Sequence, residues 1–339
     1  MLASTGLTFW AQTLASLFRK GKMAGPCTIK VLDHSNASPP PGSVPDTSLP
    51  LTFFDVPWLV CRPMQRLFFY EFPYSTLHFT QTILPSLRTS LSHALQTFYP
   101  FAAKLICPPS PHKPHILYTD GDCVSFTVAE SSADFDRTVA YLARDVKELH
   151  PFVPQLQPSR VLNNTRVLPL LALQVTVFPN SGICIGATFC HVAADGRSFN
   201  HFMKAWASIL RSGGNSAACL EKSVPFLERN VIREKDSRGL ESILMTEWWS
   251  WASDWEEDKE ISETGHLVTI SGSPKLRAYE TDFGWGKPKK TEVVQIDVSG
   301  AIYLGDSRDE EGGIEIGLAL NKDEMEAFHG FFEQGLKTT

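Results

Sequence analysis

From Leu84 onward the apolar residues Leu84, Leu87, Leu91, Ala94, Leu95 and Phe98 recur at intervals of three and four, which predicts a one-faced helix stopped by Pro100. The same period returns at Phe199, Phe202, Met203, Trp206, Ile209 and Leu210 and ends at Gly213 and Gly214. Between the two helices the pattern changes to nearly unbroken apolar runs, 170–178 and 183–189, around Pro179-Asn180-Ser181-Gly182. Such runs predict two neighbouring strands in a sheet covered on both faces. Residues 28–32 read as a short strand, 38–50 as a loop by their serine and proline content, and 51–55 as a return to buried structure. Strands at 116–118 and 124–128 flank Thr119-Asp120-Gly121-Asp122, a turn sequence that predicts a hairpin, and 135–149 is read as helical.

Beyond Gly214 the pattern weakens. Residues 215–247 are polar and charged, with Pro225 and Gly239 as breakers, and read as a linker or crossover. Half of the 8 tryptophans then crowd into Trp248, Trp249, Trp251 and Trp255, which marks a change of character there. Strands are expected at 266–270, 278–283, 292–298 and 302–304, a last alternating strand at 315–320, and a closing helix at 322–335 with Met325, Phe328, Phe331 and Phe332 on one side. Strands and helices interleave, so the fold class is mixed α/β. At 339 residues and 43% hydrophobic content the chain can build two domains. The expected division is an extension over 1–22, a first domain over 23–214, a crossover over 215–252 and a second domain over 253–339.

Composition narrows the function. A net charge of -6 with both signs interspersed, and no long basic block, argues against nucleic acid or an anionic membrane surface and favours small-molecule partners. The 7 cysteines are odd in number and contain no C-x-x-C pair, so neither a disulfide framework nor a zinc site is indicated, and a reducing, cytoplasmic compartment fits. Asn36-Ala37-Ser38 and Asn163-Asn164-Thr165 fit the N-glycosylation pattern but read as chance matches without a secretory signal. In the first 22 residues, Leu7, Trp10, Leu14, Leu17 and Phe18 at helical spacing precede Arg19, Lys20 and Lys22. That apolar stretch is too short to span a bilayer, and its charges lie on the wrong side for a secretory signal. Met23 is therefore read as the natural start, with a transit peptide as the alternative.

The second apolar strand delivers His191, the first residue of His191-Val192-Ala193-Ala194-Asp195-Gly196. An imidazole at a strand end can act as general base, taking the proton of a bound hydroxyl as it attacks an activated acyl carbon, or it can be a hydrogen-bonded core histidine. Asp195 would share a face with His191 if the segment were helical, but Gly196 favours a turn in which the carboxylate serves a structural ion pair. Other chemistries lack their parts. No G-x-S-x-G serves a hydrolase, and Asp282-Phe283-Gly284 stands without the other protein-kinase signatures. No H-E-x-x-H or cysteine cluster accompanies His191, so no metal is expected, and no cofactor motif is present.

Read jointly, His191-Val-Ala-Ala-Asp195-Gly196 and Asp282-Phe-Gly-Trp-Gly286 resemble the plant BAHD family of acyl-CoA-dependent acyltransferases. Leu49-Pro-Leu-Thr-Phe-Phe-Asp55, Phe98-Tyr-Pro-Phe-Ala-Ala-Lys-Leu105 and Ser273-Pro-Lys-Leu-Arg-Ala-Tyr-Glu-Thr-Asp282 are similar to segments of its anthocyanin and phenolic-glucoside malonyltransferase branch. The resemblance implies a two-domain, chloramphenicol-acetyltransferase-like fold with mixed sheets and a channel between the domains. It implies His191 as general base, Trp285 as an indole beside the reacting centre, and Asp195, Gly196, Asp282, Gly284 and Gly286 as structural. It also implies an acyl-CoA co-substrate, malonyl-CoA in this branch, no resident cofactor, and a phenolic or flavonoid glycoside as acceptor. The carboxylate of a malonyl donor needs a cation, for which Arg197 is the candidate. Asp282 follows His191 by only 91 positions, less than half the family's usual interval, so the second domain is expected to be incomplete, with a junction near 248–253. A shortened, catalytically inactive family member is the alternative reading.

Overall fold

A computed structural model describes residues 27–141, 143–213, 224–229, 242–243, 245–246, 270–296 and 301–337. The expectations for 1–22, for most of 215–247, for the tryptophan-rich segment and for 266–269 fall outside these residues.

The two apolar runs form β9 (Leu171–Phe178) and β10 (Gly182–Phe189), every residue of both buried. They lie at the centre of a six-stranded mixed sheet of order β1-β6-β9-β10-β3-β12. Its other members are β1 (Ile29–Ala37), β3 (Met64–Glu71), β6 (Val124–Ser131) and β12 (Lys290–Val293). A second sheet has the order β2-β5-β4-β8-β7, from β2 (Thr47–Pro50), β4 (Lys104–Cys107), β5 (His115–Tyr118), β7 (Arg160–Leu162) and β8 (Thr165–Pro169). The third is small, β11-β13-β14, from β11 (Ile270–Gly272), β13 (Ala301–Asp306) and β14 (Ile314–Ala319). Helices among the described residues include α1 (Leu84–Thr97), which follows a short helical lead-in over Thr76–His78 and Phe79–Ile83, α2 (Phe135–Val139), α3 (Gly196–Arg211) and α4 (Lys322–Lys337).

The continuous apolar runs are explained by cover on both faces of the first sheet. Ile183, Ile185, Ala187 and Phe189 share one core with Leu87 and Leu91 of α1 and Phe199, Phe202 and Trp206 of α3. Leu67, Phe69 and Cys184 face a second cluster with Phe135, Val139, Leu149 and Phe152. The two helices are pinned together by the Trp206 indole N–H, which donates to the Leu87 carbonyl at 3.2 Å and lies 3.1 Å from Ser90 Oγ.

Several expectations are corrected. Strands β5 and β6 form no hairpin: β5 pairs with β2 and β4, whereas β6 pairs with β1 and β9. The Asp-Gly turn hands the chain from one sheet to another, held by Asp122, whose carboxylate accepts from Thr119 N at 3.0 Å and pairs with Lys104. Thr47–Pro50, inside the expected loop, is the edge strand β2. The helix expected over 135–149 stops after α2, where the Arg144 guanidinium donates to the carbonyls of Thr138 and Ala140. Residues 278–283 are a 3-10 turn (Ala278–Glu280) and an irregular segment rather than a strand. No element was expected at 64–71, yet β3 lies inside the sheet between β10 and β12. Its edge partner β12 comes from the segment assigned to the second domain, so the C-terminal part of the chain completes the first sheet. Among the described residues, the rest of that second unit holds three strands and α4.

Candidate active site

His191 leaves the sheet two residues after the end of β10, in a turn closed by Ala193 N donating to Cys190 O at 3.0 Å. Its ring is half-buried and lies face to face with the indole of Trp58, with centroids 4.0 Å apart and planes 10° from parallel. Trp58 sits in a 3-10 turn (Val56–Val60) that starts directly after Asp55. That turn is tied down by the Asp55 carboxylate, which accepts from Thr52 N and Oγ1 and from Arg229. Burial lowers the His191 pKa from its ordinary value of 6.5. The ring's contact with its own backbone and the charge of Asp195 oppose that shift, and Arg66 reinforces it. The ring Nδ1 is buried and has no hydrogen-bond partner. Nε2 is therefore the nitrogen through which the ring can meet a hydroxyl.

Asp195 is exposed and caps α3: its Oδ1 accepts from Ser198 N at 2.7 Å, which satisfies one of the otherwise unbonded N–H groups of the first turn. Gly196 opens the helix where a Cβ would come within 3.1 Å of Leu276 Cδ1. Arg197 follows in the first turn with an exposed side chain.

The second motif is a turn knotted by its own aspartate. Asp282 Oδ1 accepts from Gly284 N at 2.7 Å and Gly286 N at 2.9 Å, while Oδ2 faces Arg211 at 3.3 Å. Both glycines have left-handed backbone, with φ of 98° and 85°, where side chains are strained. The turn drives Phe283 into the core against Trp206, with centroids 5.0 Å apart, and lays Trp285 on Phe283, Tyr70 and Phe72. The Tyr70 hydroxyl closes the cluster by donating to the Thr281 carbonyl at 2.9 Å.

The structure does not bring Trp285 to His191, which corrects the expected juxtaposition. Two rulers agree. Tyr70 pairs with Ile183, at the far end of β10 from His191, and at ~3.3 Å per residue the intervening strand measures about 25 Å. Asp282 holds Arg211 at the C-terminus of α3, whereas Asp195 caps its N-terminus, about 22 Å away at ~1.5 Å per residue. The segment 273–283 runs beside α3 between these ends, tied midway by the Lys204–Glu280 ion pair at 2.9 Å.

The groups that do approach His191 went unnoticed in the sequence. Trp58 lies more than 130 positions earlier, and Arg66 belongs to the unassigned strand β3. Arg66 pairs in register with Ala187 and so projects from the same face as Ala187 and Phe189. Its signal is a lone cation within the run Met64-Gln-Arg-Leu-Phe-Phe-Tyr70. A cavity of about 440 Å³ lined by Lys30, Glu130, Ser131, Ser132 and Phe178 lies at the opposite end of the sheet and has no part in this site.

A family model described as the Transferase family matches residues 35–237 and 226–334. The chain belongs to this family, the BAHD acyl-CoA-dependent acyltransferases. It is 30% identical to coumaroyl-CoA:anthocyanidin 3-O-glucoside-6''-O-coumaroyltransferase 1 of Arabidopsis thaliana, over 91% of this chain and 97% of the relative. It is 28% identical to malonyl-coenzyme A:anthocyanin 3-O-glucoside-6''-O-malonyltransferase of Dahlia pinnata, over 91% and 98%. The first of these alignments runs over 461 positions against the 339 residues of the chain, so the relative carries a long stretch without a counterpart here. Among solved structures the fold is similar to that of vinorine synthase, with a TM-score of 0.56 at 17% identity, over 88% of this chain and 96% of that one.

Proposed function

We propose that the site around His191 transfers an acyl group from acyl-CoA to a hydroxyl of a phenolic or flavonoid glycoside, with His191 as the general base. The observation that carries this is the state of the imidazole. Burial keeps it neutral near pH 7, its Nδ1 is enclosed, and its half-exposed edge sits at the mouth of a rigid strand. With the ring proton on Nδ1, the Nε2 lone pair takes the acceptor's proton as the alcohol oxygen attacks the thioester carbonyl. The tetrahedral species then collapses and CoA leaves as its thiolate. No covalent acyl-enzyme is formed, and Asp195 acts on this step only by fixing the turn that carries His191. The relatives named above, which act on anthocyanin and anthocyanidin glucosides, support the acceptor class, and the malonyltransferase among them supports malonyl-CoA as donor.

General-base action is worth about 10² to 10⁴ in rate. His191→Ala is therefore expected to lower acyl transfer from malonyl-CoA to a flavonoid glucoside by at least that factor, while CoA binding persists. Turnover at the wild-type rate in the variant would remove His191 from the role.

A second reading has its own observation. The family model matches in two segments that meet at 226–237, between the two motifs, the aligned coumaroyltransferase is longer than this chain, and apolar residues of the small sheet and of α4 are exposed. On this reading the chain is a shortened family member without catalysis. Absence of transfer by pure, folded protein that still binds malonyl-CoA selects it.

A further inference from the structure

Arg66 is the one strongly buried cation beside His191 whose described partners include no carboxylate. Only 7% of its surface is exposed. Its Nη1 makes a single long hydrogen bond, 3.4 Å, to Gln295 Oε1, and its guanidinium lies over the Tyr303 ring at 5.5 Å from the centroid. Gln295 Oε1 is already engaged by Gln65 N at 2.8 Å, so it is a shared and weak acceptor for the cation. A guanidinium offers five N–H donors and stays charged in proteins, and burying it without an anion is costly. Lys290, the other deeply buried cation among the described residues, differs in this respect, because it pairs with Glu315 and lies near Glu292.

The placement of Arg66 is as telling as its lack of a carboxylate partner among the described residues. It leaves β3 opposite Ala187, on the face and at the end of the sheet where β10 runs out into His191. Its charge reaches the imidazole. Gln295 comes from the turn after β12 and Tyr303 from β13, so the cation lies where the C-terminal segment meets the first sheet. Ala187 stands four positions before His191, about 13 Å along β10 at ~3.3 Å per residue, a span that the side chain of Arg66 and a short acyl chain can share. Arg197, by contrast, is exposed on the first turn of α3, where its charge is hydrated.

We infer that Arg66 is the donor-selecting residue, binding the free carboxylate of a dicarboxylic acyl thioester such as malonyl-CoA through two parallel N–H···O bonds. The inference rests on the acyl-CoA reading of the His191 site. A carboxylate supplies a counterion that the described residues do not, and satisfies donors that Gln295 leaves unused, whereas an acetyl donor leaves them as they are. Hydrogen bonds to a charged group of this kind correspond to roughly 10- to 100-fold in affinity.

The test is equilibrium binding of malonyl-CoA and acetyl-CoA to the wild-type chain and to Arg66→Gln, Arg66→Lys and Arg197→Gln, each checked for folding by circular dichroism. The wild type is expected to prefer malonyl-CoA by about 10- to 100-fold. Arg66→Gln should bring that ratio to about one by weakening malonyl-CoA alone, and Arg66→Lys should reduce the ratio in part. If Arg66→Gln does not fold, Arg66→Lys decides, and an unchanged ratio there overturns the assignment. A ratio that survives Arg66→Gln, a ratio lost in Arg197→Gln, or equal weakening of both thioesters also overturns it. Equal binding of both thioesters by the wild type overturns the Arg66 assignment and leaves acyl-CoA recognition intact. Failure of either thioester to bind the folded wild type overturns that broader reading as well.

Discussion

The imidazole of His191 gains its character from one neighbour that sequence order hides. Trp58 covers a face of the ring at 4.0 Å and contributes to the burial that lowers its pKa. Below its pKa the ring is a cation and accepts no proton, so lowering that pKa extends the active, neutral form toward acid. The acid limb of kcat/KM is therefore expected to have its midpoint below 6.5, and Trp58→Ala, by admitting water to the ring, should move the midpoint upward toward that value. A pH profile of transfer, or of the ring's NMR titration in the folded chain, reads the shift. An unmoved midpoint would show that the indole has no hold on the titration. At this scale the sequence displayed His191, Asp195 and Asp282 plainly, because each sits in a short motif whose chemistry is local. Trp58 and Arg66 were not legible, since their meaning lies in a partner 125 or more positions away that only the β3–β10 pairing supplies.

At the scale of elements, the two motifs are clamps at opposite ends of α3. Asp195 bonds one backbone N–H at the N-terminus, and Asp195→Ala should cost about 1 kcal/mol. Asp282 bonds two backbone N–H groups of exposed glycines, and Asp282→Ala should cost about 1–2 kcal/mol, because the turn loses two hydrogen bonds whose N–H groups water can reach. The half-exposed ion pair to Arg211 adds less than about 1 kcal/mol. Urea unfolding of the two variants measures both losses. Since some 20 Å of helix separates the clamps, Asp282→Ala should leave the His191 titration in place. A shift in that variant would contradict the separation of the motifs. The elements that were legible, α1, α3, β9 and β10, carry their own periodicity or an unbroken apolar run. The hairpin reading of β5 and β6 failed for a different reason: alternation and an Asp-Gly turn are satisfied equally by two strands that join different sheets. The local pattern does not choose the partner, and the choice is made by β2 and β9, which lie far away in the chain.

For the whole molecule, the decisive fact is what the C-terminal segment covers and what it leaves bare. β12 closes one edge of the first sheet and the 273–286 segment covers α3, so the unit carrying His191 keeps a continuous core. The small sheet ends in β14, an unpaired edge among the described strands, with Ile316 67% exposed and Ile314 also exposed. After it in the chain, α4 presents Phe328, Phe331 and Phe332, with Phe331 75% exposed. A flat edge with isoleucines and a helix with three phenylalanines in water are the surfaces from which association starts. Concentration-dependent self-association is therefore expected, detectable by sedimentation velocity and by binding of an apolar dye. Replacing Ile316 by Lys and Phe331 by Glu puts charge on both surfaces without touching the first sheet, and should shift the chain toward monomer while its cooperative unfolding is unchanged. Association persisting at the same concentration in the double variant would place the sticky surface elsewhere. Loss of cooperative unfolding would mean instead that the small sheet and α4 belong energetically to the main core, despite their exposed faces.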